Sequence, residues 1–147
     1  KGTNNVGGIV GWKIGETNIY NSYQIGEITG NNNVGGIIGN ANDNTILRNI
    51  YSIGNINCLN TYGGIIGGVS DSSKINSNNV YYIKNNNLTG IYNEEDEKFN
   101  ITGFSNEEWD SNAIINYLNE GKNIQEEGID KTNWKAWLLG ENGYPTF

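Results

Sequence analysis

Short apolar, glycine-rich runs alternate along this chain with short polar stretches. Residues 4–12 read N-N-V-G-G-I-V-G-W, and the run returns as N-N-V-G-G-I-I-G-N at 32–40 and as N-T-Y-G-G-I-I-G-G at 60–68. Val6, Val34 and Tyr62 stand 28 residues apart, as do Gly8, Gly36 and Gly64. Runs this short and this rich in glycine do not hold a helix. A fixed period in this range marks an architecture in which each repeat is one supersecondary layer.

A polar turn follows each run, at residues 13–16, 41–44 and 69–72, and then a second extended segment. In the first copy that segment is T-N-I-Y-N-S-Y-Q-I-G-E-I (17–28), and in the second T-I-L-R-N-I-Y-S-I-G-N-I (45–56). The third copy, 74–84, needs two extra residues to bring Tyr81 onto Tyr51. Period-two alternation predicts that Ile19, Asn21, Tyr23 and Ile25 face the core, with Leu47, Asn49, Tyr51 and Ile53 above them. Tyr20, Ser22 and Gln24, then Arg48, Ile50 and Ser52, are expected to face water. Asn21, Asn49 and Asn79 would then point inward in one column. A lone buried amide is costly, but identical stacked amides can bond up and down the column, so these three are expected to be a structural ladder.

One unit carries too few apolar side chains to offset the ordering of its own backbone, so the units must stack. The expected fold is mainly β: a parallel β-helix (β-solenoid) of about three 28-residue coils, 4–31, 32–59 and 60–90, with a small C-terminal α/β cap at 91–147. The paired glycines, Gly7-Gly8, Gly35-Gly36 and Gly63-Gly64, imply positive φ, a bulge or close approach of a facing strand. They do not read as a phosphate cradle, because no Lys-Ser/Thr and no helix follow. In the cap, Glu94-Glu95-Asp96-Glu97 reads as a solvated loop. Ser105 and Glu108 form a capping box for a helix near 105–120 in which Trp109, Ala113, Ile114, Tyr117 and Leu118 follow helical spacing, and which stops at Gly121. The cap is expected to cover the open end of the last coil, where bare strand edges would otherwise template aggregation.

N-N-V-G-G-I-V-G followed by T-x-I-x-N-S-Y-x-x-G-x-I-T-G resembles the GLUG-motif repeats of bacterial cell-surface and secreted proteins. The likeness covers residues 4 to about 90, and the acidic helix followed by Asn142-Gly143-Tyr144-Pro145 is similar to how such arrays end. The third copy departs from the pattern, with Tyr62 in place of Val and Lys84 in place of Gly. The resemblance implies an elongated β-solenoid of large surface proteins, including adhesins and immunoglobulin-A-specific metallopeptidases, in which the repeats accompany the catalytic domain. It implies an extracellular or cell-surface location and a structural or adhesive role. The alternative it implies is an accessory glycan- or protein-binding domain of a large secreted peptidase.

Charge and composition narrow the chemistry. Nine Lys and Arg stand against 16 Asp and Glu, a net charge of −7, which disfavours nucleic acid and anionic lipid as partners. No apolar run is long enough to span a bilayer, and no signal peptide is recognisable. The absence of Met and an opening inside a repeat suggest a segment of a longer protein. With no His in the chain, Ser-His-Asp and Cys-His pairs and His-ligated zinc are excluded. Cys58 is the only cysteine and is expected to be a structural thiol at the position of Gly30.

No cofactor is expected, and the chain does not read as an enzyme. A glycosidase needs two carboxylates flanking a cleft. The coils offer Glu16, Glu27, Asp43 and Asp71, with no basic or aromatic neighbour in sequence to tune them. Asp43 and Asp71 are the weak metal candidates, and otherwise turn residues. Trp12, Tyr20, Tyr62 and Tyr82 are candidates for a ligand platform for a host glycan or protein, though rings covering backbone at coil corners is the preferred reading. Trp109, Trp134 and Trp137 are expected in the cap core. Neighbouring domains of the parent chain are the other expected partners, with edge-to-edge pairing at the N-terminal coil.

Overall fold

The computed structural model describes residues 1–85 and 87–147. The repeat pattern becomes a parallel stack. Coil one holds β1 (Asn4–Gly7), β2 (Val10–Lys13), β3 (Thr17–Ile25) and β4 (Ile28–Gly30). Coil two repeats these as β5 (Asn32–Gly35), β6 (Ile38–Ala41), β7 (Thr45–Ile53) and β8 (Ile56–Cys58). Coil three has β9 (Tyr62–Gly63), β10 (Ile66–Val69) and β11 (Ile75–Ile83).

Register follows the sequence period: Val6 pairs with Val34 and Val34 with Tyr62, Val10 with Ile38 and Ile38 with Ile66, all in parallel. Tyr23, Tyr51 and Tyr81 also align. The two extra residues of the third copy are absorbed by a 3-10 turn at Ser72–Lys74, because Gly68 still pairs with Asn40 while Ile75 pairs with Thr45. The glycine pairs are sites of close approach: a Cβ on Gly35 would lie 1.9 Å from the Ile38 carbonyl oxygen, and one on Gly36 2.1 Å from that of Gly64.

The inward face is not the one that strict alternation predicts. Asn21, Asn49 and Asn79 adopt left-handed φ of 45°, 61° and 60°, a conformation that asparagine tolerates better than other side chains. Each inserts one residue out of the strand pattern and reverses its phase. Before the asparagine, Ile19 and Leu47 point into the solenoid; after it, Ile50 and Val80 do, together with Tyr82. Tyr51, Ile53, Tyr81 and Ile83 instead face out and enter a second core with Ile114, Leu118 and Trp137, against which Tyr23 also packs. The expectation that Tyr23, Ile25, Tyr51 and Ile53 line the interior is therefore corrected, and so is the outward placement of Ile50 and Ser52.

The C-terminal region divides in two: its first part closes the end of the stack, as an end cap would, and the rest lies elsewhere. Residues 88–104 form a shortened fourth coil. Thr89 and Gly90 accept hydrogen bonds from Gly64 N and Ile65 N at 2.8 Å, and β12 (Ile101–Phe104) pairs in parallel with β11. A 3-10 turn at Asp96–Phe99 swings Phe99 into the interior core and closes that end. Asp96 is consequently no free loop acid: its carboxylate accepts from Gly90 N at 2.7 Å and from the Tyr82 hydroxyl at 2.8 Å.

The remaining elements, α1 (Ser111–Asn123), β13 (Leu138–Leu139) and β14 (Pro145–Thr146), lie along the flank of the β3–β7–β11–β12 sheet. They are drawn there because the phase reversal leaves tyrosines and isoleucines outside the solenoid to be covered. The capping box forms, Ser105 N to Glu108 Oε2 at 2.9 Å and Glu108 N to Ser105 Oγ at 3.2 Å, but it closes a turn. The helix starts later, capped by Asp110, whose carboxylate accepts from Asn112 N at 2.9 Å. Gly121 does not end it. A Cβ there would meet Asn79 Nδ2 at 1.9 Å, so the glycine lets the helix lie against the asparagine column.

Candidate functional site

The asparagine column is the best-defined polar feature. Asn49 Nδ2 donates to Asn21 Oδ1 at 3.0 Å and Asn79 Nδ2 to Asn49 Oδ1 at 2.6 Å. The column is vertical as expected, but it stands at the outer corner of the coils and not in their interior. There it binds the flank: Asn49 Nδ2 also donates to the Leu118 carbonyl and Asn79 Nδ2 to that of Tyr117, both at 2.8 Å, while Trp137 Nε1 donates to Asn21 Oδ1 at 2.8 Å. Two further ladders run up another corner. Asn33 Nδ2 donates to Asn5 Oδ1 at 2.9 Å, and Thr61 Oγ1 to Asn33 Oδ1 at 2.9 Å. Asn60, Asn32 and Asn4 are linked in the same sense at 2.7 Å.

The four candidate platform rings are scattered. Trp12 on β2 is 56 % exposed and Tyr62 on β9 39 %. Tyr20 packs on Trp134 with ring centroids 5.6 Å apart, and so covers the flank junction. Tyr82 is fully buried; burial and the Asp96 carboxylate push its phenol above the ordinary value. Its placement as an outward ring is corrected, because it lies beyond the phase reversal at Asn79. No two of the four stack on each other among the described residues, so they do not make one platform.

Asp43 and Asp71 serve their turns. Asp43 Oδ2 accepts from Gly15 N at 2.8 Å, one coil down, and this bond chiefly holds its carboxyl below the usual range, with Lys74 assisting. Asp71 is held low by the Ser73 hydroxyl and amide, and caps the 3-10 turn. Among the described residues no three His, Cys, Asp or Glu side chains gather as a metal site. Cys58 pairs with Gly30 across β8 and β4, and its Sγ lies 3.3 Å from the carbonyl oxygens of Asn31 and Thr61.

Two features were not visible in sequence. The first is an ionic clamp between coil and flank. Arg48, 7 % exposed, meets Glu126 at 2.5 Å and Asn76 Oδ1 at 2.9 Å, and Lys131 Nζ meets Glu126 at 3.0 Å. Burial alone would raise the Glu126 carboxyl, but hydrogen bonds from Arg48 and Lys131 outweigh it and hold it below the usual range. Arg48 occupies the ladder position of Tyr20 and Asn78, and an arginine among neutral residues was the only available signal. The second is an open trough of about 1060 Å³, lined by Ile56, Cys58, Leu59, Tyr62, Leu88 and Asn106 among others. It lies beside β8 because the β4–β8 sheet has only two strands where its neighbours have three or four.

Comparison with protein-family models, with curated proteins and with solved structures found no match to this chain.

Proposed function

We propose that this chain is a non-catalytic structural and adhesive module of a bacterial surface or secreted protein, a GLUG-type repeat stack displayed outside the cell. The supporting observation is where the polar side chains spend their hydrogen bonds. Amides, hydroxyls and carboxylates one coil apart bond to each other in register, as in Asn49 to Asn21, Asn33 to Asn5, Ser70 to Asn42 and Ser52 to Gln24. The coil aspartates hold turns, Asp43 also meeting Lys74, while buried Arg48 is held by the flank clamp and buried Lys13 by the carbonyls of Gly15 and Asn44. Such an arrangement stiffens a rod, and among the described residues the one acid–base neighbourhood in the coils, Asp43 with Lys74, serves a turn. A non-catalytic module is expected to leave a panel of polysaccharides and peptides chemically unchanged. Product formation that disappears in Asp43→Asn or Asp71→Asn would overturn this. Adhesion is tested by retention of host cells on a surface coated with the protein.

The trough favours a second reading, an accessory glycan- or protein-binding domain of a large secreted peptidase. Leu59 is 78 % exposed at its wall beside Tyr62, and one ring with a neighbouring aliphatic side chain among amides suits a sugar face or a peptide. A Leu59→Ser/Tyr62→Ser variant should then lose binding on a glycan or peptide array without losing thermal stability.

A further inference from the structure

Among the 29 asparagines of the chain, Asn142 alone precedes a glycine. It sits in the turn that joins β13 to β14. Gly143 N donates to the Gly140 carbonyl at 2.9 Å and Gly140 N to that of Tyr144 at 2.8 Å, and Gly143 has φ 79°. This is a hairpin turn closed by a left-handed residue, a place that glycine fills at no steric cost. The fold thus requires, directly after Asn142, the residue that shields its own nitrogen least. A Cβ at Gly143 would meet nothing within 4 Å, so no packed neighbour crowds that nitrogen either.

Asn142 is exposed, and Tyr144 N donates to its Oδ1 at 3.2 Å. An N–H on a carbonyl oxygen draws electrons from the carbon and steadies negative charge that develops on the oxygen. The bond that opposes attack on this carbon is Gly143 N to the Gly140 carbonyl, and it belongs to an exposed turn, where opening takes little free energy. The other asparagines are held differently. Asn21 and Asn76, the two followed by serine, lie within the long paired strands β3 and β11. The ladder amides are fixed by their equivalents one coil away.

We propose that Asn142 is a self-modification site, converted with water as the only co-reactant to aspartate and isoaspartate, and that the isoaspartyl form releases the flank. Gly143 N gives its proton to solvent and attacks Asn142 Cγ. The N–Cγ bond forms, the Cγ–Nδ2 bond breaks, and the side-chain nitrogen takes up a proton and leaves as ammonia. Water then opens the cyclic imide. Cleavage of the new bond gives aspartate, and cleavage of the original main-chain bond routes the chain through Cγ. The second product lengthens the main chain inside the turn, so the two Gly140 bonds can no longer both close it. The flank core hangs on this turn: Leu139 pairs with Pro145, the Pro145 carbonyl accepts the Tyr51 hydroxyl, and Phe147 lies edge-on to Trp137 at 4.7 Å.

The test incubates the whole chain at mildly alkaline pH without denaturant and maps it by mass spectrometry. The tryptic peptide that follows Lys135 holds Asn142 as its one asparagine. Asn142 is expected to convert at least about tenfold faster than Asn21 or Asn76. Exchange of the α1, β13 and β14 amides should rise with the isoaspartyl fraction, while β5–β7 stay protected. Asn142→Gln keeps an amide but needs a larger ring, and should hold flank protection through the same incubation. Freshly prepared Asn142→Asp should exchange like the native chain, because a carboxylate oxygen still accepts from Tyr144 N. Conversion no faster than at Asn21 and Asn76, or conversion only in denaturant, overturns the site. Isoaspartate that leaves flank exchange unchanged, equal loosening in Asn142→Gln, or a fresh Asn142→Asp that is already loose overturns the release. Enzymatic turnover would defeat the structural role proposed above without touching any of these readouts.

Discussion

The molecule has two cores built in opposite ways. The interior core is periodic: Leu47, Ile37, Ile65 and Ile50 are held at 0 % exposure by equivalents one coil away, and aliphatic residues dominate it. The flank core is aperiodic and aromatic. Tyr23 stacks on Tyr51 at 5.2 Å and 7°, and Trp137 meets both rings edge-on or tilted at 5.9 and 5.7 Å. The repeat contributes Tyr23, Tyr51 and Tyr81 with Ile53 and Ile83; their partners are single residues far along the chain. A repeat can thus complete its own interior, but its outward aromatic face needs a segment that repeats nothing. The hinge between the two is the left-handed asparagine, which sends one half of each long strand inward and the other half outward.

The largest effect expected is at the two most committed side chains. Trp137 is 1 % exposed and Leu47 is at 0 %. Truncation of either to alanine should cost roughly 2–5 kcal/mol, with Trp137 at the upper end. The cores differ in how the loss spreads. Trp137→Ala should release flank amides to exchange while β5–β7 stay protected; Leu47→Ala should lower protection in both. Equal loss everywhere in Trp137→Ala would mean that the flank is not a separable layer and that the comparison between cores fails.

The asparagine column comes next. Asn49→Ala removes the bonds to Asn21, Asn79 and Leu118 and leaves φ 61° to a side chain that lacks the asparagine's tolerance of it. Lost hydrogen bonds in a buried site cost about 1–3 kcal/mol, and a left-handed alanine about 1–2 kcal/mol more. Asn49→Gly keeps the conformation and loses only the amide, so chemical denaturation of the pair separates the two contributions. If glycine proves as damaging as alanine, backbone conformation is not what selects asparagine there.

What was legible in the sequence follows from this division. The period placed Val6 on Val34 and Tyr23 under Tyr51, because parallel register is set by the repeat itself. The amide column was legible for the same reason. Its direction was not, since alternation assumes an unbroken strand and an asparagine in mid-strand does not announce a positive φ. That one local conformation misplaced Tyr23, Tyr51 and Tyr82 together. The flank was read as an end cap because Trp137 and Leu118 show that something is buried without showing against what. The Arg48–Glu126 pair, 78 residues apart, had no periodic partner to reveal it.

A smaller effect should appear on acidification. Glu126 titrates below the ordinary glutamate value of about 4.3, because Arg48 and Lys131 outweigh the cost of its burial. A carboxyl depressed in the folded state contributes stability that is fully present above its unfolded value and is lost as pH falls through the folded one. The clamp should therefore loosen below the ordinary carboxylate range and be unaffected between there and neutrality. Asp43, Asp71, Glu108 and Asp130 are also held low, so the readout is the difference between the native chain and Glu126→Gln. That difference in melting temperature should be largest near neutrality and shrink as the pH falls below the ordinary carboxylate range. A constant difference would mean that the pair is held by shape and not by charge.

The smallest effect is expected at Trp12, and it makes the sharpest control for the flank core. Trp12 carries the same ring as Trp137 but belongs to neither core and is 56 % exposed. Its neighbours up the stack are Asn40 and then Gly68, so this position already accepts an amide and no side chain at all. A substitution at such a site usually changes stability by no more than about 0.5 kcal/mol. Trp12→Ala should therefore melt with the native chain, while Trp137→Ala does not. A cost above about 1 kcal/mol would show that the ring shields the backbone of the first coil, as corner aromatics would. In that case the exposed indole is part of how an outermost coil is stabilised, and the contrast between a buried and an idle tryptophan no longer holds.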